Sequence, residues 1–483
     1  MIADLGPYAE YKESGVPWLG DVPAHWEVRR LRASVVGCFN GVWGEVPSGA
    51  SDMWCVRVAD FERQRLRVSD RKLTMRGIPV SARNRRILVS GDLLIEKSGG
   101  GDRQPVGTVV LYDHDRPAVC SNFVARMPVA KGYVPSFLVY LHATIYGKRI
   151  TLLSTKQTTG IQNLDSSRYL SEPAAFPPPD EQAAIVRFLD WATRRVDRAI
   201  RAKRRLVALL TEQKQAIIHR AVTQGLDPSV PMKASGIPWL GEIPAHWEVR
   251  RLRHLISGRL TYGANAAAQF TNPEWPRYIR ITDFTITGLL KTSTFRSLPP
   301  HIAKDYIVNS GDILFARSGA TVGKAFLVED LRGEACHAGY LIRARTDAAK
   351  ILPRYLFTYA QSLAFQSWKD ISFSSATIQN IAADKYMSLP IPLPSLAEQK
   401  LVLVAVEALC APVSATIERT QRQIGLLREY RARLVADVVT GKLDVRAFAE
   451  TLPDEAPDDI EAIEADVDED ADDDETGDGA DEG

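Results

Sequence analysis

Residues Ser14–Arg32 read SGVPWLGDVPAHWEVRRLR, and residues Ser235–Arg253 read SGIPWLGEIPAHWEVRRLR. Sixteen of these nineteen positions are identical, at an offset of 221. Further pairs follow in the same order: CVRVADF from Cys55 with YIRITDF from Tyr278, and SGDLLIEKSGG from Ser90 with SGDILFARSGA from Ser310. GIQNLDSSRYL from Gly160 matches TIQNIAADKYM from Thr377, PPPDEQ from Pro177 matches PSLAEQ from Pro394, and AVTQGLD from Ala221 matches VVTGKLD from Val438. The offset drifts only between 223 and 217, so one unit of about 220 residues occurs twice. A period this long means domain duplication, since solenoid repeats run to about 20–45 residues.

Each unit has two textures. Its first ~150 residues carry short β-branched runs broken by Gly, Pro, Asn and Asp, which predicts mixed α/β structure with many strands. Arg57–Phe61 and Arg280–Phe284 read as strands running into turns, and Asp92–Ile95 and Asp312–Phe315 as strands after a Ser-Gly-Asp turn. The second part is helical. Ile185, Leu189, Ala192, Val196, Ile200, Val207, Leu210 and Ile217 step by three, four or seven, as do Val402, Val406, Leu409, Val413, Ile417, Ile424, Leu427 and Leu434. That spacing is the seam of a coiled coil. Pro-rich segments precede both helices and leave Asp180 and Ser395 as N-caps. Pro412 is expected to kink or break the second helix near Ala408. A narrow apolar stripe needs a partner helix, so the predicted fold is α+β: two mixed domains joined by two long helices that pair as an antiparallel coiled coil, with an internal pseudo-two-fold repeat. The alternative is two separate helical hairpins, each packed on its own domain.

The formal charge of the 483-residue chain is +1, but this is a cancellation. Residues 447–483 hold 18 acids and no Lys or Arg. The preceding 446 residues hold 60 basic and 41 acidic residues, a net +19, which attracts polyanions. The C-terminal stretch has too little apolar surface to order itself and is expected to be a disordered acidic tail, aiding solubility or competing for basic grooves. Five cysteines without a C-x-x-C pair fit neither a disulfide framework nor a zinc site. No secretory leader is read at the start, and no apolar run approaches a membrane span. The expected location is the cytoplasm.

Catalytic signatures are near-misses. Gly319–Ala325 is one residue short of a phosphate-binding loop and has Ala where the magnesium-binding hydroxyl belongs; a Gly-rich turn between strands is the better reading. Asp92, Glu96 and Lys97 resemble a nuclease set, but the second copy keeps a single acid, Asp312. His25 and His246, each in P-A-H-W, read as packed structural residues. No catalytic residue and no metal ligand is assigned, and the chain is not read as an enzyme. Basic residues are abundant instead. Arg63, Arg65 and Arg67 on one face of a strand would stand about 6.8 Å apart, near the spacing of successive phosphates on one strand. Arg57, Arg71, Lys72, Arg83, Arg85, Arg86 and Lys97 extend that patch. The second copy offers Arg280, Lys291, Arg296, Lys304, Arg317 and Lys324. Any one alone reads as a solvated charge; together they read as nucleic-acid contacts, with Gln162, Asn163, Gln379 and Asn380 as candidate base readers. Segments alike in both copies cannot make the copies read different sequences, so they are scaffold or docking surface. Specificity falls to the divergent stretches 40–54, 62–88, 259–276 and 285–309.

The order G-x-P-W-L-G-x-x-P-x-H-W, S-G-D-[IL]-L, I-Q-N and P-x-P-x-x-E-Q, stated twice over residues 11–445, resembles the specificity subunit of type I restriction–modification systems. The resemblance implies target-recognition domains at 1–176 (with the repeated segment 11–32) and 231–392. It implies helical spacers at 177–230 and 393–446, before the acidic tail at 447–483. Each domain is expected to read one half of a bipartite, asymmetric site in double-stranded DNA. Two methyltransferase subunits are expected to dock through the helices, with Ile185, Leu189, Val196, Ile200, Val207, Leu210, Val402, Val406, Val413, Ile417, Ile424 and Leu427 as the partner-docking or coiled-coil candidates, and restriction subunits joining. S-adenosylmethionine, ATP and Mg would belong to those partners, and no cofactor is expected on this chain. The other readings are a stand-alone DNA-binding or scaffold protein, and a cryptic nuclease or NTPase.

Overall fold

The computed structural model describes residues 5–453, apart from 50, 70, 72, 102–103, 159–160, 286–287, 289, 292, 320 and 373–379. Two compact units emerge, one comprising the chain up to Ile200 together with that from Gly425 onward, the other Arg201–Ile424. They cut across the linear boundaries predicted above, because each recruits parts of both long helices.

In the first unit, Asp92–Glu96 is the centre of a six-stranded sheet, antiparallel to Val109–Tyr112 on one side and Val124–Met127 on the other. All five of its residues are buried. Strand side chains alternate, so Leu93 and Ile95 enter the main core with helix Pro135–Gly147, while Leu94 enters a second core with Val110, Tyr112 and Val124. The second unit repeats the plan. Ile313–Ala316 pairs with Leu341–Ala344 and Ala325–Leu327, sending Ile313 and Phe315 to one core and Leu314 and Ala316 to the other. In both, an arginine clamps the start of the central strand: Arg126 on Asp92 and Arg345 on Asp312. Gly319 and residues 321–324 lie between the strands Ile313–Ala316 and Ala325–Leu327, and the segment leads into a strand rather than a helix, as the turn reading required.

The helices run Pro179–Thr223 and Leu396–Val439. Ser395 caps the second, its hydroxyl accepting from the Glu398 N–H at 3.3 Å. Asp180 is no cap: the first helix already begins at Pro179. The second helix runs through Pro412 as one element, so of the kink or break expected near Ala408 the break does not occur. In the first unit Ile185, Leu189 and Ala192 share a core with Leu434, Val435, Val438 and Val439. In the second, Ile218, Ala221 and Val222 share one with Val402, Val406 and Cys410. The start of each helix therefore meets the end of the other, which is antiparallel pairing. Asp197–Arg431 at 3.4 Å and Lys203–Gln423 at 2.7 Å keep the same register.

Ile185, Leu189, Val196, Ile200, Val402, Val406 and Ile424 are buried; Val207, Leu210, Val413, Ile417 and Leu427 are half-buried. Leu409, expected in the seam, is 53% exposed, and Cys410 takes its place at 6%. The step from Val406 is four residues there rather than three, both being allowed by a 3.6-residue turn. The second helix is also long and apolar enough by composition to cross a membrane, contrary to the reading of no such run. Its apolar character comes from carrying both seam residues and outward residues such as Leu401 and Val404.

The repeated N-terminal block is what locks the domain to the helices. Trp26 Nε1 and the Tyr8 hydroxyl donate to Glu181 Oε1 at 2.9 and 2.6 Å, and His25 Nε2 lies 2.7 Å from Glu181 Oε2. Trp247 and His246 meet Glu398 in the same way, at 2.9 and 3.1 Å. The neighbouring glutamine acts identically in both copies. Gln182 accepts from the Val134 N–H and donates to the Pro177 carbonyl, while Gln399 accepts from Leu352 and donates to Pro394. The acidic tail starts later than predicted. Arg446–Thr451 is helical, with Ala449 and Leu452 buried and Phe448 packed edge-on to Phe188, 5.5 Å between centroids.

Candidate nucleic-acid interface

The three arginines expected on one strand face are not arranged that way. Phe61–Glu62 and Arg67–Val68 form an antiparallel pair, and residues 63–66 are the turn between them, with Leu66 at φ +58°. Each guanidinium meets its own carboxylate: Arg63 with Glu96 at 2.9 Å, Arg65 with Glu62 at 3.6 Å and Arg67 with Asp113 at 2.7 Å. Burial raises the Glu96 carboxyl while Arg63 opposes the shift. A turn points consecutive side chains in different directions, so the phosphate-ladder argument fails here.

Arg57 and Arg280 also serve the fold. Each donates from its backbone N–H and twice from its guanidinium to the aspartate three residues on, Asp60 and Asp283. Both aspartates are buried. Arg83 donates to the Ile78 and Ser51 carbonyls. Gln162 is buried and accepts from the Val106 N–H. Lys291 donates to the Thr282 carbonyl and Arg296 to that of Phe295. Arg71, Lys304 and Lys324 are exposed. Lys72 and Gln379 lie outside the described residues.

The remaining candidates converge on a surface that occurs in both units. In the first, Lys97 donates to Asn40 Oδ1, and its N–H donates to the Phe123 carbonyl at 2.7 Å. Ser98, the next residue, donates to Asn163 Oδ1 across paired strands. Arg86 donates to the Asn40 carbonyl, and Arg85 sits 5.8 Å from the centroid of Phe39. In the second, Arg317 stacks 5.0 Å from the centroid of Tyr262, and its N–H donates to the Tyr340 carbonyl at 3.0 Å. Ser318, the next residue, bridges Asn380. Asn40, Lys97, Phe123 and Asn163 thus correspond to Tyr262, Arg317, Tyr340 and Asn380. Phe123 and Tyr340 are 47% and 63% exposed, and both asparagines are exposed.

The glycine behind each corner explains why this edge is held. A Cβ on Gly41 would stand 2.1 Å from the Cys120 carbonyl oxygen, and one on Gly263 2.2 Å from that of His337. Only glycine lets the Asn40 and Tyr262 strands lie that close. The surface offers a cation, an amide and a flat aromatic ring, groups that contact phosphates, base edges and base faces respectively. Sequence reasoning named Lys97, Asn163, Arg317 and Asn380 one by one, held Asn40 and Tyr262 only as members of the divergent stretches 40–54 and 259–276, and named neither Phe123 nor Tyr340. The signal was there: Asn40-Gly41 and Tyr262-Gly263 fall within the repeat offset, as do Asn122-Phe123 and Gly339-Tyr340.

Fold and surface together define a duplicated α+β protein in which each unit packs on parts of both long helices. A model of the type I restriction modification DNA specificity domain matches residues 244–424. The StySPI specificity subunit of Salmonella potsdam is 26% identical over 210 residues, 42% of this chain and 44% of that relative, so under half of the relative's length is spanned. The putative MjaX specificity subunit of Methanocaldococcus jannaschii is 21% identical over 441 residues, 89% of this chain and 96% of its own. A solved chain from work on complex assembly and conformational transition of the type I R-M system has the same fold, with TM-score 0.60 and 18% identity. It covers 87% of this chain and 99% of its own length. The chain is similar in sequence to type I restriction–modification specificity subunits and shares their fold.

Proposed function

We propose that this chain is the non-catalytic DNA sequence-specificity subunit of a type I restriction–modification complex. The observation that carries the reading is the surface built twice on one backbone plan with different residues at three of four corners. The unit bearing Asn40, Lys97, Phe123 and Asn163 reads one half of a bipartite site in double-stranded DNA. The unit bearing Tyr262, Arg317, Tyr340 and Asn380 reads the other. Different side chains on a common frame give an asymmetric site, because bases are distinguished by the donors and acceptors that meet them. Arg85 and Arg86 beside the first corner, and the exposed Arg71, Lys304 and Lys324 elsewhere on the units, supply sequence-independent attraction.

The paired helices dock two methyltransferase subunits, and restriction subunits join for cleavage. S-adenosylmethionine, ATP and Mg act in those partners. Purified chain mixed with the methyltransferase and random-sequence duplexes tests the reading by gel shift and sequencing of the retained DNA. The expected result is a motif of two short blocks separated by a fixed unread spacer. Retention of DNA without any selected bipartite motif contradicts it.

A further inference from the structure

The two long helices differ in charge where the repeat otherwise makes them alike. Between Arg194 and Arg205 the first carries seven basic residues and one acid. The equivalent stretch of the second, Ala411 to Arg422, carries two basic residues and one acid. Arg195 and Arg198 are exposed, and their counterparts are Pro412 and Ala415. A seam explains apolar positions on a helix, but it does not explain a basic outer band on one copy alone.

The described chain ends beside this band. Phe448, on the closing helix Arg446–Thr451, packs against Trp191 with 5.1 Å between ring centroids. The Arg195 guanidinium lies 5.0 Å from the centroid of the same Trp191 ring. Arg187 donates to the carbonyl of Leu452, two residues before Asp454. Residues 454–483 then hold 17 acids and no basic residue. Arg195 and Arg198 lie about 12 and 16 Å along the helix from Arg187, whereas thirty residues reach about 100 Å when extended. The acids therefore begin within reach of the first arginines without needing a long loop.

We propose that residues 454–483 dock on the basic band of the first long helix, starting at Arg195 and Arg198, as an intramolecular polyanion. The closing helix fixes the start of the arm at the band, which raises the local concentration of carboxylate there over that of any free anion. The contact is electrostatic and therefore weakens with salt. It does not depend on the DNA reading.

The test places a photoreactive benzoyl-phenylalanine at Ala456 or Ala462 in the full chain and maps the crosslinks by mass spectrometry. At low salt the arm should crosslink to peptides covering residues 187–205, with a yield independent of protein concentration. In R195Q/R198Q, compared with the parent at a temperature well below both thermal melts, that yield should fall at least fivefold. Adding 0.5 M NaCl to the parent should do the same. Crosslinks elsewhere, or an unchanged yield in R195Q/R198Q, overturn the proposal. So does an uncrosslinked arm with lower duplex affinity in R195Q/R198Q, which would assign the band to DNA.

Discussion

Glu181 accepts from two buried donors, Trp26 and Tyr8, and holds His25 on its second oxygen. Burial, with the hydrogen bond to Glu181, pushes the Tyr8 hydroxyl far above its ordinary pKa, so it stays a donor at every working pH. Glu181→Ala leaves both donors without an acceptor and should cost about 2–4 kcal/mol. Glu398 is 27% exposed and has no tyrosine partner, Ser229 standing where Tyr8 does, so Glu398→Ala should cost about 1 kcal/mol. Urea unfolding of the two variants checks this; equal losses contradict it. His142 gives a second residue-scale prediction. It is fully buried, and burial lowers its pKa from 6.5 to about 4. The unfolded chain takes a proton below about pH 6.5 that the folded chain refuses until about 4, so stability is full above that window and falls as pH drops through it. The loss reaches about 3 kcal/mol. In His142→Gln the fall in unfolding free energy between pH 7 and 4.5 should shrink by about that amount; an unchanged fall contradicts it. At this scale the sequence was legible where a motif recurred, as in P-A-H-W and E-Q. It misled at Arg63, Arg65 and Arg67, because their direction depends on a left-handed Leu66 that no residue type announces.

Among the elements, the long helices were legible because their apolar spacing persists over many turns. What periodicity left open was the assignment of single positions: a step of three or four both fit, and Leu409 and Cys410 exchanged places. Leu434 is 5% exposed, so Leu434→Ala should cost about 2–4 kcal/mol, whereas Leu409→Ala should cost under about 0.5 kcal/mol. Pro412 removes a donor from a helix that nevertheless continues past it. Pro412→Ala should therefore stabilise the chain by about 1–3 kcal/mol in the same urea assay. A destabilised Pro412→Ala would mean that the proline shapes a bend the packing needs. The strands were placed approximately, since Ser-Gly-Asp marks the entry of the central strand in both copies, with Gly91 at φ +95° and Gly311 at φ +92°. Which loops assemble into one surface was not legible. Asn40, Lys97, Phe123 and Asn163 are far apart in sequence and meet only through strand pairing.

For the whole molecule, the duplication decides most of what can be said. Each unit takes its globular part from one repeat and its helical support from both, so neither repeat folds into a complete unit alone. That is why boundaries drawn along the chain did not coincide with the compact bodies. The near-zero net charge likewise concealed two opposite regions, a body of +19 and a tail of −18. The central claim is that each unit reads its own half of the DNA site, and it is tested by selection from random duplexes with the methyltransferase present. Lys97→Ala with Asn163→Ala should relax one half of the selected motif and leave the other half intact, discrimination falling by about 1–3 kcal/mol at each base pair no longer read. Arg317→Ala with Asn380→Ala should relax the opposite half alone. Equal loss of both halves in either variant, or two unchanged motifs, would contradict the account.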